Sequence, residues 1–317
     1  MKTDHARRCR AGHPKMPDLA PIVLFVYNRP EHTRRTLDAL AANPLAIESD
    51  LIIYADGPKR PEDAAAVQQA RDVARGAFGF RSVRLIEREK NLGLANSIIM
   101  GVSDVCSARG RAIVVEDDLL VAPQFLTFLN RGLERYADEP SVFQVSGYMF
   151  PVMAETSSDG LFLPLISCWG WATWQREWSQ FEPSATGYKQ LERDPRLRAR
   201  FNLDGNYDYF GMLKDQIDGK IDSWGVRWLL SVFLKGGVVL YPRTSLVQNV
   251  GIDESGTHGA GLAVLQGDMD IDADVARCYE NWPSEISVDM DVLDRVKRVL
   301  SGSQSHPVIR LIRRLLK

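Results

Sequence analysis

The 317-residue chain has little of what marks several large protein classes. Its four cysteines, Cys9, Cys106, Cys168 and Cys278, are scattered, with no CxxC or other ligand-type spacing. That speaks against a zinc site or a disulfide framework and suits a reducing compartment. No apolar run approaches the ~20 residues that span a bilayer. Residues 1–18 (MKTDHARRCRAGHPKMPD) carry charge but no apolar signal core, and read as a disordered tail. Charge of one sign is also lacking: 39 Lys and Arg against 41 Asp and Glu leave −2, which gives no reason to expect a nucleic-acid partner. No GxGxxG or GxxxxGK[ST] follows any apolar run, so dinucleotide and P-loop sites are not indicated. No internal repeat is visible. The expectation is a cytoplasmic globular enzyme or binding protein.

What is there is an alternation of two periods. Residues 22–27 (IVLFVY), 51–55 (LIIYA), 83–86 and 112–115 are short continuous apolar runs, the pattern of strands buried on both faces. Helix-type spacing follows each, over residues 29–40, 61–77, 94–105 and 123–136. This order predicts an α/β fold, a mostly parallel central sheet flanked by helices. Residues 142–146 read as another strand, and then the alternation fades. Residues 167–181 (SCWGWATWQREWSQF) are aromatic-rich, 189–201 a charged helix, 226–234 a buried helix and 238–241 a strand. Residues 251–261 (GIDESGTHGAG) have the glycine content of a lid. One domain over residues 19–300 is expected, with a nucleotide-binding half up to residue 150 and an elaborated half after it.

In such sheets ligands lie beyond the carboxyl ends of the strands. The polar groups there are Asn28-Arg29, Asp56-Gly57, the turn Asn91-Leu92-Gly93, and Glu116-Asp117-Asp118. Three adjacent acids repel one another, and no His or Cys stands near them in sequence. Hard divalent cations prefer carboxylate oxygens, and a magnesium-like ion takes few from protein and the rest from substrate phosphates. The alternative is a helix N-cap with extra acids at the positive end of the dipole. Arg29 as a surface ion-pair partner and Asp56 as a turn residue are the corresponding alternatives for those two.

The segment VVEDDLLVAPQF resembles the metal-binding segment of N-acetylglucosaminyltransferase I-like enzymes, inverting glycosyltransferases of the GT-A fold. VYNRP, YADG, GWATWQREW and SGTHG fall around it in matching order, so the likeness runs with gaps from about residue 22 to about residue 259. The resemblance implies that Asp118 binds Mn²⁺ or Mg²⁺ and that Glu116 and Asp117 face ribose or donor sugar. It implies that Arg29 and Asp56 seat a uridine, with Tyr27, Asn91 and Gly93 lining the nucleotide-sugar site. The relatives place the catalytic base in a WDDW-like segment. Here that stretch is Lys220-Ile221-Asp222-Ser223-Trp224, with a single acid before the tryptophan. A hydroxyl of ordinary pKa cannot serve as the base, so Asp222 is the first candidate, with Asp204, Asp208, Asp215 and Asp218 as alternatives. An N-cap role for the following helix is the alternative, which Ser223 could also fill.

Six of the seven tryptophans lie between Trp169 and Trp228. Core packing accounts for some of them. Trp171, which matches a Gly-Trp of the relatives, and Trp224 are the candidates for stacking on a sugar ring. Cys168 reads as a small buried hydrophobe. His258, in the glycine-rich tract, is a candidate for contact with phosphate or metal, or else a surface residue.

The expected partners are a UDP-sugar donor, with GlcNAc implied by the relatives alone, and a glycan or lipid-linked glycan acceptor in surface polysaccharide synthesis. Alternatives are a non-catalytic sugar-nucleotide or carbohydrate-binding protein and a sugar-1-phosphate nucleotidyltransferase. The latter wants a glycine-rich loop after the first strand, which VYNRPEH lacks. Residues 304–317 end in HPVIRLIRRLLK, which divides into an apolar and a basic helix face. Such a helix can lie on an anionic bilayer, peripheral to the membrane, or pack onto its own domain or a partner. Nothing in the pattern sets an oligomeric state.

Overall fold

Burial on both faces decides the first elements. Strand β1 (Ile22–Val26) is buried at every position, and it lies between β2 (Asp50–Ala55) and β4 (Arg111–Glu116), parallel to both. The structure, a computed structural model, describes residues 18–251, 265–269 and 278–305. Strand β3 (Ser82–Glu87) runs parallel to β2 at one edge of an eight-stranded sheet. The second half adds β6 (Val142–Ser146), β7 (Gly160–Leu163), β8 (Trp171–Trp174) and β9 (Val238–Pro242), in the overall order β3-β2-β1-β4-β8-β6-β9-β7. Strand β8 is antiparallel to both β4 and β6, and β6 is parallel to β9. The carboxyl ends of β1, β2, β3, β4, β6 and β9 therefore face one edge, and strands of both halves share one sheet.

A small second sheet shapes that edge. After β4, the chain turns at Asp117-Asp118 and enters β5 (Leu119–Val121), which pairs antiparallel with β10 (Val247–Asn249). The sequence pattern does not reveal this detour. Residues 123–136 were expected to be the helix that follows β4 directly.

Helices cover both faces: α1 (Pro30–Ala41), α2 (Ala64–Arg75), α3 (Leu94–Arg109), α4 (Phe125–Arg135) and, in the second half, α5 (Gln175–Trp178), α6 (Tyr188–Arg193), α7 (Pro195–Phe201), α8 (Tyr209–Ile217), α9 (Trp224–Leu234) and α10 (Met290–Ser305). Pro30 fits the first turn of α1, where its missing N–H costs nothing. Gly110, at φ +76°, ends α3 in the left-handed region. The charged stretch expected as one helix over 189–201 is two, because Pro195 holds Asp194 extended and Asp194 caps α7 through the N–H groups of Arg196 and Leu197.

One apolar cluster, with Leu24, Ile53, Val115 and Leu129, fills one face of the first half. A second, with Val23, Phe25, Val102 and Trp228, fills the other. A third surrounds Leu163, Leu230 and Tyr241, and α10 inserts Val292, Val296 and Leu300 into it. Each fully buried Leu or Val side chain stabilises by about 1.5–3 kcal/mol. Among the described residues no helix is long and apolar enough to cross a membrane. The amphipathic segment 306–317 and the tail 1–17 lie outside the described residues.

Candidate active site

The acid triplet forms a corner between the two sheets. Glu116 is the last residue of β4, in register with Phe25 of β1, and Asp117 and Asp118 make the turn. The Tyr27 N–H donates to the Asp117 carboxylate at 3.1 Å, and the Thr36 hydroxyl donates to the Asp117 carbonyl at 2.9 Å. Strand β10 holds the far side, where the Val250 N–H donates to the Asp118 carbonyl at 2.8 Å. Gly251 lies so close that a Cβ there would stand 2.2 Å from Asp118 Oδ2 and 2.8 Å from its Cβ. Arg29 reaches across from the start of α1 and sets Nη1 3.1 Å from Asp118 Oδ2.

Desolvation dominates the electrostatics of this corner. Burial, with repulsion from Asp118 and Asp117, raises the Glu116 pKa well above the ordinary carboxylate range. Burial and then Asp118 push Asp117 up to about 7. Asp118 is raised too, by burial, although Arg29 and then His32 favour its charged form. Desolvation thus disfavours the charged form of all three carboxyl groups. Asp118 Oδ1 is buried and has no hydrogen-bond partner among the described residues.

That oxygen tests whether a cation fits. The donors at the corner are all oxygens, and a magnesium- or manganese-type ion needs only one or two protein carboxylates when phosphates complete its shell. Arg29 occupies Oδ2 of Asp118 and leaves Oδ1 without a partner. Among the described residues no three His, Cys, Asp or Glu side chains surround a common point. The arrangement fits an ion held by one carboxylate and shared with a ligand, not a closed protein cage.

A second carboxylate station sits at the end of β2. Asp56 Oδ1 accepts from the N–H groups of Gly57 (3.0 Å) and Leu92 (2.9 Å), and Oδ2 from those of Leu92 (3.1 Å) and Gly93 (3.0 Å). Asn91 donates through Nδ2 to the Gly57 carbonyl at 2.9 Å. A Cβ on Gly57 would lie 2.6 Å from the backbone carbon of Lys90, so only glycine allows the two loops this approach. Tyr27 joins the stations. Its backbone contacts Asp117, while its hydroxyl donates to Asp63 and accepts from the Lys59 N–H, both at 3.0 Å.

Asp222 reaches the same crevice from the second half. Its carboxyl group is 58% exposed, with Oδ1 held 3.0 Å from Nη2 of Arg227 and Oδ2 facing Gly93, 3.9 Å from where a Cβ would stand. Cys168 lies against Gly225 of α9 and within the field of Glu116, which connects this segment to the acid corner. Cys168 is half-buried, less covered than its sequence context suggested, and desolvation pushes its thiol pKa upward. Ser223 caps α9 through the Val226 N–H, so the cap role falls to Ser223, and Asp222 meets the helix only through the Arg227 side chain.

Two expectations are corrected. Trp171 is completely buried and Trp224 is 4% exposed, and the two rings stack on each other at 5.2 Å inside the core. Neither offers a face to a sugar, because each is covered by protein on both sides. His258 lies outside the described residues. The reading from sequence also missed residues that the structure brings to the site: His32 and Thr36 beside Arg29, Asp63 under Tyr27, and Gly251. Arg29, His32 and Thr36 are spaced by three and four, which is the available signal for one helix face. Past the ends of β6 and β9 an open cavity of about 670 Å³ lies between the Met149–Ala154 loop and residues 242–246, with Arg243 and Asp268 in its wall.

An open α/β sheet with a polar crevice at its carboxyl edge defines a class of folds that take small ligands at that edge. Within that class, residues 22–152 match the family described as Glycosyl transferase family 2. The matched segment runs from β1 through the acid corner to just past β6, within a mixed α/β fold whose large central sheet is mostly parallel and flanked by helices. No curated protein matches the chain. Among solved structures it is similar to the 1–349 segment of S. aureus TarS, at 10% identity over 80% of this chain and 68% of that one, with a TM-score of 0.41. It is also similar to the apo form of mouse xyloside xylosyltransferase 1, at 11% identity over 68% of this chain and 81% of that one, with a TM-score of 0.35. At such scores the likeness carries no assignment.

Proposed function

We propose that the chain is a metal-dependent inverting glycosyltransferase that moves a sugar, GlcNAc in the first instance, from a UDP-sugar to a glycan or lipid-linked glycan acceptor of surface polysaccharide synthesis. The observation that carries this reading is the acid corner. Three half-buried carboxylates with raised pKa values and a buried, unpartnered Asp118 oxygen stand at the strand ends of a family 2-type segment. Mn²⁺ or Mg²⁺, held by Asp118, would supply positive charge to the leaving diphosphate. Arg29 contributes a fixed positive charge beside it, and Tyr27 ties the corner to the loop after β2.

Asp222 takes the proton of the acceptor hydroxyl as that oxygen bonds to the anomeric carbon. The bond from that carbon to the diphosphate oxygen breaks in the same step and its electrons leave with UDP, which inverts the configuration. Its exposure suits access by an incoming acceptor, and Arg227 fixes its orientation. The cavity past β6 and β9, about 670 Å³, would take the acceptor in this reading. The test is hydrolysis and transfer over a panel of nucleotide-sugars with Mn²⁺. Release of UDP from one donor, lost in Asp222→Asn, supports the reading. Donor binding without release in wild type and mutant alike favours a binding protein, and pyrophosphate release from a nucleoside triphosphate favours a nucleotidyltransferase.

A further inference from the structure

Five of the six tryptophans between residues 169 and 228 are buried, at 6% exposure or less, and the sixth, Trp169, is only partly covered. It stands on the segment that leads into β8. Trp171 opens that strand opposite Val114 of β4 and Ser146 of β6, so residues 167–170 lie past the carboxyl ends of both, beside Glu116. The segment is held firmly. Gln144, buried in β6, donates through Nε2 to the Ser167 carbonyl at 2.5 Å and accepts the Ser167 N–H at 3.3 Å. The Gly147 N–H donates to the Gly170 carbonyl at 2.7 Å. Gly170, at φ +61°, sits where a Cβ would press on Val247 (2.8 Å) and Phe125 (2.9 Å). Trp169 donates its own N–H to Ser167 Oγ at 3.2 Å, and Tyr148 meets its ring at 77° with centroids 4.9 Å apart. The Tyr148 hydroxyl is anchored in turn on the Leu265 carbonyl at 2.5 Å.

The neighbours of Trp169 lead to two parts of the crevice. On one side is Cys168, whose Sγ would stand 2.7 Å from a Cβ on Gly225, three residues after Asp222. On the other is Tyr148, which runs directly into Met149–Ala154, the wall of the cavity past β6 and β9. We propose that Trp169 is the platform for the acceptor's terminal sugar, a gluco-configured pyranose stacked on the indole between Asp222 and that cavity. This rests on the transferase reading above. A pyranose whose hydroxyls are all equatorial carries axial C–H groups on both faces. Laying one such face on an indole removes apolar surface from water while the hydroxyls at the ring edge stay hydrated. Because the segment around Trp169 is already fixed, little ordering is required of the protein when the sugar arrives.

The experiment uses the full chain with chitobiose and cellobiose as probes, sorbitol as a ringless control, and UDP and UDP-GlcNAc in Mn²⁺. The indole N–H resonance of Trp169 is assigned by its loss in Trp169→Phe. A platform predicts that both disaccharides shift this resonance and that sorbitol does not. It also predicts that Trp169→Leu weakens both disaccharides by about tenfold and leaves UDP affinity within about twofold. No shift with either disaccharide, or an equal shift with sorbitol, would overturn the proposal. So would a loss of UDP-GlcNAc affinity in Trp169→Leu with UDP affinity intact, which places the ring under the donor sugar instead. If wild type binds neither nucleotide, the transferase reading fails, and the indole response still decides whether Trp169 holds a sugar. Should Trp169→Leu not fold, Trp169→Phe takes its place. The smaller ring should weaken the disaccharides by about threefold, and unchanged affinity would again overturn the platform.

Discussion

Two carboxylate stations stand at the ends of neighbouring strands, and they are opposites. At the end of β2, both oxygens of Asp56 are engaged by the backbone N–H groups of Gly57, Leu92 and Gly93. At the end of β4, three carboxylates share the Arg29 guanidinium, the Tyr27 amide and the field of His32, and a buried Asp118 oxygen goes without a partner. A satisfied buried carboxylate holds structure together. An unsatisfied one costs stability by itself, and its cost is recovered when a ligand brings the missing charge. The same side-chain type at equivalent places in the sheet thus serves a scaffold in one case and, in the function proposed above, a binding site in the other.

The comparison can be broken most sharply from the chemistry outward. Asp222→Asn should lower transfer by about 10²–10⁴-fold with donor affinity unchanged, since it removes the proton acceptor and no donor contact. Steady-state kinetics beside calorimetry reads this, and a matching loss of donor affinity would place Asp222 on the donor instead. Gly251→Ala comes next. The new Cβ would overlap both the Cβ and Oδ2 of Asp118, so the corner must shift, and Mn²⁺-dependent nucleotide affinity should fall by about tenfold while the far station keeps its amide protection.

A pH titration sharpens the contrast further. Asp117 is pushed up to about 7 in the folded protein from 3.8, so between those values the unfolded chain ionises while the native one stays protonated. The native state therefore loses stability as pH rises from about 4 to about 7, the reverse of an ion-paired carboxylate. The melting temperature should be higher at pH 5 than at pH 8 without metal, and added Mn²⁺ should shrink the difference. A melting temperature that rises over that range would show that the corner carries no buried charge penalty. The smallest effect on chemistry is expected from Trp171→Phe. It removes buried ring volume from the stack with Trp224 and should destabilise by about 1–3 kcal/mol, with sugar and nucleotide affinity unchanged in the variant that remains folded.

Much of this was legible in the sequence where local pattern and burial coincide. Strands β1, β2 and β4 read as apolar runs because they are covered on both faces, and the acid corner announced itself because like charges rarely adjoin without cause. Strands β5 and β10 were not legible, since each is three residues long and exists only through the other, with the partners more than a hundred residues apart. The tryptophans misled for a related reason. Their spacing identifies a cluster but not whether that cluster faces a sugar or the interior, and β8 places Trp171 inward against α9. The amide contacts of Asp56 were equally hidden, because the N–H groups of Leu92 and Gly93 that reach it belong to the turn after the next strand.

The measurement that bears most directly on the central claim is UDP binding by calorimetry with and without Mn²⁺, in wild type and Asp118→Asn. The unpartnered carboxylate oxygen predicts that wild type binds UDP at least about tenfold more tightly with Mn²⁺ and that Asp118→Asn abolishes the difference while still folding. Equal affinity with and without the ion in both proteins would contradict it, and would leave the acid corner to Arg29 alone.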